Sequence, residues 1–266
     1  MRAARDWQAP SVFQPENLLR EARRQRGLPD VPVPEVCLLD PDGDIVRQIR
    51  KDGRARPSPG WACYHTTLDE FEHDGERIGV LGCAVGASFA VLVAEQLFVS
   101  GCRFLISVTS AGQIVASGPP PYFVLIDAAL RDEGTSDHYL PPGAVATADP
   151  GLADAVFAGL RGAAVTVHRG TSWTTDAPYR ETEAEIAAAR AQGVLAVEME
   201  AAALYAFATA RRRAVLCFAH VTNTMATAGD DFEKGEDAGS RDSIAVAAAA
   251  ARAWRRMGAY TSGTKP

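Results

Sequence analysis

Lysine is nearly missing from this chain: of 27 basic residues only Lys51, Lys234 and Lys265 are lysines, and the rest are arginines. Acidic residues number 33 and the formal net charge is -6, so no nucleic-acid surface is expected. Paired cysteines are missing too. Cys37, Cys63, Cys83, Cys102 and Cys217 are odd in number, scattered and mostly inside apolar runs, with no CxxC to bind zinc or cycle redox state, which implies buried free thiols in a reducing compartment. The opening MRAARDWQAPSVF lacks the continuous apolar core of a secretion signal, and no apolar run reaches bilayer length. A cytoplasmic location without a membrane partner is therefore expected. There is no GxSxG elbow, and His65, His73, His138, His168 and His220 show no ligand spacing, which argues against a serine hydrolase and against a metal site.

What is present is ample apolar material, 47% of 266 residues, without a repeat or a second composition regime. One domain over 1–266 is expected, with an N-terminal arm and helix over 1–34 and a flexible tail over 258–266. Short apolar runs at 36–39, 78–85, 103–109, 122–128, 164–168 and 214–221 read as strands. Helical spacing marks 15–25, 88–99, 151–160, 183–191, 201–212 and 242–257. Continuous apolar strands separated by helices predict an α/β sheet covered on both faces. The stretches 51–61, 117–122 and 228–242 read as loops, the last polar and mobile.

Ligands of such sheets sit beyond the carboxyl ends of the strands. Polar clusters follow the apolar runs there: SAGQI after 109, ALRDEGTSDHYLPP after 128, RGTSWTTDAPYRET after 168, and TNT after 221. The stretch VEMEAAAL (197–204) sets Glu198 and Glu200 two apart at the mouth of an alanine run. In a helix they would face apart, whereas an extended segment would point both into one pocket. Glutamate in a first helical turn is also ordinary.

VEMEAAAL, GTSWTTDAPY, SAGQI and DEGTSDHYLPP together resemble the nucleoside phosphorylase superfamily, most closely its uridine-phosphorylase-like, hexameric branch, from about residue 35 to about residue 255. The resemblance implies a three-layer α/β/α sandwich around a mixed, partly closed sheet. It implies an enzyme of nucleoside metabolism and nucleotide salvage that cleaves the N-glycosidic bond of a nucleoside substrate. It needs no cofactor, and phosphate is the possible co-substrate; water is the alternative acceptor, and a non-catalytic nucleoside sensor a further one. Glu200 then takes the ribose 2'- and 3'-hydroxyls, Met199 packs on the sugar, Glu198 supports it, and Ser110 and Gly112 lie by the anion and sugar. Trp173, Thr174, Pro178 and Tyr179 surround the base, and His138 falls near a subunit interface.

Asn223 takes the place of an aspartic acid that protonates purines, which leans toward a pyrimidine or another oxo-substituted base. The resemblance further implies a homodimer or trimer of dimers, with Gln14 reaching the partner's sugar site. Departures are as informative. The three arginines that hold phosphate in the family fall on Ile45, on Tyr64 or His65, and on Ser107. Substitutes are expected from Arg47, Arg50, Arg54 and Arg56, in a loop at the same pocket rim.

Overall fold

The computed structural model describes residues 5–225 and 231–262, with side chains as far as Gly258. An N-terminal arm leads to α1 (Pro15–Arg26), which opens on a proline and stops at a left-handed Gly27. Then come β1 (Val36–Asp40), α2 (Asp44–Lys51), β2 (Arg56–Pro57), β3 (Asp69–His73), β4 (Glu76–Gly82) and α3 (Ala87–Val99). The middle of the chain forms β5 (Phe104–Gln113), β6 (Tyr122–Asp132), β7 (Val145–Thr147), α4 (Pro150–Gly159) and β8 (Val167–Thr175). The last part forms α5 (Glu183–Ala191), β9 (Ala196–Glu198), α6 (Ala201–Arg211), β10 (Ala214–Asn223) and α7 (Ser240–Ser262).

Strand order is β10-β6-β8-β9-β5-β1-β4-β3-β2, with β7 on β6 and a second pairing of β10 with β5. That extra pairing closes β5, β10, β6, β8 and β9 into a ring, while β1, β4, β3 and β2 extend from β5 as an open wing. The sheet is mixed: β1 runs parallel to β4 and β5, and β10 parallel to β5 but antiparallel to β6. Helices α1, α3 and α6 pack as one group and α2, α4 and α7 as another. The expected three-layer architecture with a partly closed sheet is the one observed.

Residues Val36 to Asp40 are buried without interruption, as expected of a strand covered on both faces. In α6, Ala201 to Phe207 are all buried. Burying side chains such as Leu204 and Phe207 stabilises by about 1.5–3 kcal/mol each. The small alanines between them let α6 lie close to the ring, and the Tyr205 hydroxyl donates to the Ile126 carbonyl at 2.5 Å, beside a register shift in β6. This clamps the helix whose first residue adjoins Glu200.

Four boundaries differ from the sequence reading. The strand expected at 164–168 lies at Val167–Thr175, so GTSWTT is itself strand rather than a loop after one. Residues 44–51 form α2, so the expected arginine-rich loop is half helix. Of the polar loop expected at 228–242, residues 228–230 lie outside the described residues, while Glu233 N–H donates to the Thr222 carbonyl at 2.7 Å and a short 3-10 turn precedes α7. The tail beyond Ser262 also lies outside them, and α7 extends to that residue.

Candidate functional site

Glu198 ends β9 and Glu200 precedes α6, and the two carboxylates have opposite surroundings. Glu198 is buried and accepts four hydrogen bonds: from Ser172 Oγ at 2.9 Å, Thr174 Oγ1 at 2.5 Å, and the backbone N–H groups of Glu200 and Ala201 at 2.7 Å each. Burial raises its carboxyl above the usual value, and those donors oppose the rise. Four donors converging on two oxygens, at a helix N-terminus, favour the ionised form.

Glu200 is 1% exposed. Its Oε1 accepts the Gly86 N–H at 2.7 Å, whereas its buried Oε2 makes no hydrogen bond among the described residues. Burial first, then the Glu198 charge, push its carboxyl up to about 8 against the pull of the Gly86 N–H and the Thr109 hydroxyl. With one backbone donor against the four on Glu198, Glu200 is the member of the pair suited to hold a proton. Met199, between them, is half-buried. A protonated buried carboxyl with an unpartnered oxygen is suited to exchange hydrogen bonds with hydroxyls of a ligand.

The turn from β1 to α2 lies near this pair, close enough for the Asp42 charge to help raise Glu200. Asp40 accepts the Gly43 and Val46 N–H groups at 3.1 and 3.0 Å, and its burial pushes it up to about 7. Gly43 has φ 77°, and a Cβ there would come within 2.6 Å of Cys83 Sγ, so only glycine fits the turn. Asp42 Oδ2 accepts the Ser110 N–H at 3.2 Å. Lys234 reaches in from the segment after β10, its Nζ 2.6 Å from Asp44 and 3.5 Å from Asp42. Burial works to raise Asp44, yet the Lys234 and Arg47 bonds outweigh it and hold its carboxyl below the usual value. His220, stacked on Phe123 with ring centroids 4.6 Å apart, is depressed to about 4, by burial first and by Lys234 second, and is neutral near pH 7.

Ile45 and Ser107, at two of the arginine positions, are buried, and the Ser107 hydroxyl has no partner among the described residues. Arg47 stays at the rim, bound to Asp44 and to the Asp42 carbonyl. Arg50 is directed to Asp69 and Thr67. Arg54 and Arg56 are corrected in place: α2 carries the chain away from the rim, so Arg54 binds the Glu72 carbonyl and lies over Phe71, and Arg56 sits on outermost β2.

Beyond the ends of β5 and β10 a cavity of about 680 Å³ is lined by residues including Gln113, Ile114, Ile186, Arg190 and Met225. Asn223 lies at its edge, its Oδ1 accepting the Met225 N–H at 2.9 Å. Gly112 is paired with Asn223, and a Cβ there would meet Met225 Sδ at 2.6 Å. The group expected around the base is divided. Trp173 is 6% exposed in a small cluster with Ile114, Val194 and Val197, and donates its indole N–H to Asp132 at 3.0 Å. Thr174 is fully buried, serving Glu198 and the Ala202 N–H, and Tyr179 is 99% exposed, next to a half-buried Pro178.

The DEGTSDHY cluster satisfies itself. Glu133 accepts the Thr135 and Ser136 N–H groups, and Arg131 fans over Ser136, Asp137 and the Pro141 carbonyl. His138 is exposed, 3.2 Å from Arg5. Gln14 stands at the N-cap position of α1 without a side-chain capping bond and donates instead to the Ser11 carbonyl, near an exposed Val12 and Phe13.

Sequence reasoning missed Gly86, Asp42, Asp44 and Lys234 as site residues. Only the rarity of lysine singled out Lys234, since its partner Asp44 is 190 residues away in sequence. Among the described residues no group of three or more His, Cys, Asp and Glu could hold a metal ion, and no helix is long and apolar enough to cross a membrane.

Similarity to known proteins follows the same lines. A DeoD-type purine nucleoside phosphorylase of Streptococcus pyogenes is 33% identical over 139 residues, which is 52% of this chain and 59% of that protein. The match thus spans little more than half the length of that relative. Its counterpart from Streptococcus uberis is 28% identical over 166 residues, 62% of this chain and 70% of that one. The fold is shared with uridine phosphorylase of Vibrio fischeri, at a TM-score of 0.70 and 19% identity over 85% of this chain and 92% of that one. The model of the phosphorylase superfamily matches residues 17–255, and the chain belongs to that superfamily.

Proposed function

We propose that this protein cleaves the N-glycosidic bond of a nucleoside, as a pentosyl-transferring enzyme of the phosphorylase type. The observation that carries this reading is Glu200, a buried carboxyl with one oxygen on Gly86 and the other unpartnered, beside half-buried Met199. Ribose 2'- and 3'-hydroxyls supply the missing partners. As the C1'–N bond lengthens, positive charge grows on the sugar, and a carboxylate fixed at its hydroxyls stabilises that charge. Hydroxyl donors also favour the ionised form, so binding draws the proton off Glu200.

Asn223, at the cavity edge, offers an amide to a carbonyl and cannot act as a proton donor of useful acidity, which supports a pyrimidine or an oxo-purine. Met199 and Ser110 adjoin the sugar, and the exposed Val12–Phe13 arm with Gln14 supports a homodimer or larger assembly. Water as acceptor is the second reading. It is favoured by Ile45 and Ser107, buried where guanidinium groups would be needed for a dianion.

The test is a panel of nucleosides incubated with and without phosphate, assayed for free base, free pentose and pentose 1-phosphate. The reading expects base release from at least one oxo-substituted ribonucleoside. Binding of a nucleoside without any base release would replace it with a sensor.

A further inference from the structure

Asp42 occupies a backbone N–H near the end of β5 and lies beside the Lys234 ammonium, the two kinds of donor a bound anion uses. A phosphate there would need backbone N–H donors at the end of β5 and at least one cation. Both are present, and both are taken. Asp42 Oδ2 accepts the Ser110 N–H at 3.2 Å and lies 3.5 Å from Lys234 Nζ, while Asp44 holds the same ammonium at 2.6 Å and Arg47 by its other oxygen. The backbone leading to Lys234 is tied to β10, since Phe232 bridges Asn223 and Glu233 N–H donates to the Thr222 carbonyl. A dianion entering this corner would have to displace a carboxylate from its donor and then sit beside it.

We propose that Asp42, supported by Asp44 and Lys234, is a built-in anion that closes the phosphate position, so that water accepts the pentosyl group. This rests on the nucleoside-cleaving reading above. In the step, the C1'–N bond breaks and its electron pair leaves on the base, while a water oxygen forms the new bond to C1'. The water loses one proton and the departing base gains one, so nucleoside and water give base and free pentose. Asp42 and Asp44 select the acceptor and take no part in bond breaking.

The experiment is a calorimetric titration of inorganic phosphate into the whole protein, its Asp42→Ala variant and its Asp44→Asn variant, at matched ionic strength, with product analysis on the same samples. For the unaltered protein the dissociation constant is expected at roughly 10 mM or weaker. Asp42→Ala frees the Ser110 N–H and part of the Lys234 charge, and should tighten phosphate at least about tenfold. Asp44→Asn keeps the Ser110 contact and should give a smaller gain in the same direction, which also serves if Asp42→Ala does not fold. Product from the unaltered protein should be free pentose at millimolar phosphate.

Micromolar phosphate binding by the unaltered protein, pentose 1-phosphate as its main product, or unchanged phosphate affinity in both variants would overturn the proposal. If no nucleoside is cleaved, the activity reading falls, and the titration still decides whether the anion position is closed.

Discussion

Two acidic pairs meet at the carboxyl ends of the strands, and they are neutralised by different means. Glu198 and Glu200 are buried, and among the described residues their hydrogen-bond partners are hydroxyls and backbone N–H groups with no cation, so one of them is suited to hold a proton. Asp42 and Asp44 are partly exposed and share Lys234, which sets a positive charge beside both. The difference teaches what each can do. A proton can be released when a ligand supplies hydroxyl donors, which makes the glutamate pair responsive to substrate and to pH. An ammonium held by two carboxylates is a fixed charge balance that excludes other anions.

The largest effect should come from cutting the first pair at its base. Glu198→Ala leaves two hydroxyls and two backbone N–H groups without their acceptor, and should destabilise by roughly 3–5 kcal/mol in chemical denaturation. The comparison fails if this variant unfolds at the same denaturant concentration as the parent. Next is Glu200→Ala, expected to lower kcat/KM for a ribonucleoside by the equivalent of about 2–4 kcal/mol. A variant with undiminished turnover would remove the sugar role from Glu200.

The two pairs should also respond to pH with opposite sign. Glu200 titrates at about 8 in the folded protein and near the ordinary carboxyl value when unfolded, so the folded state binds more protons between these limits. Stability from this group is full below about 4.3 and is lost as pH rises through 8. Asp44 is held below its usual value, so its contribution is present above that value and is lost as pH falls below about 4. Melting temperature against pH should thus decline on the alkaline side in the parent, and Glu200→Gln should flatten that decline. An identical alkaline slope in both proteins would refute the assignment of the proton.

The smallest effect belongs to the ion pair. At 1 M salt the Lys234–Asp44 contribution should weaken by no more than about 1 kcal/mol, since its groups are partly exposed. Denaturation of Asp44→Asn at low and high salt measures this; a salt response equal to the parent's would show that the pair contributes nothing.

Much of this arrangement was legible in the sequence, and for identifiable reasons. Helices such as α5 carry a Thr182–Glu185 capping box, a local signal that needs no tertiary knowledge. Continuous apolar strands announced the covered sheet. Strand β8 was read three residues early because Ser172 and Thr174, polar and buried, face the Glu198 carboxylate, and an apolar-run criterion cannot see a strand that is polar for that reason. Helix α2 was missed although Ile45, Val46 and Ile49 have helical spacing, since the DPDG turn before it and the arginines after it read as loop. Glu200 was legible as a motif residue, but its raised carboxyl was not, because that depends on burial in the folded protein, set against the pull of the Gly86 N–H from 114 residues away. Lys234 closing on Asp44 is a purely tertiary contact.

The account stands on Glu200 reading the sugar hydroxyls. The direct measurement is kcat/KM for base release from a ribonucleoside and from its 2',3'-dideoxy counterpart, in the parent and in Glu200→Ala. The account predicts a strong preference for the ribonucleoside in the parent, of about 30-fold or more, that shrinks to within a few fold in the variant. A preference of the same size in both proteins would contradict it.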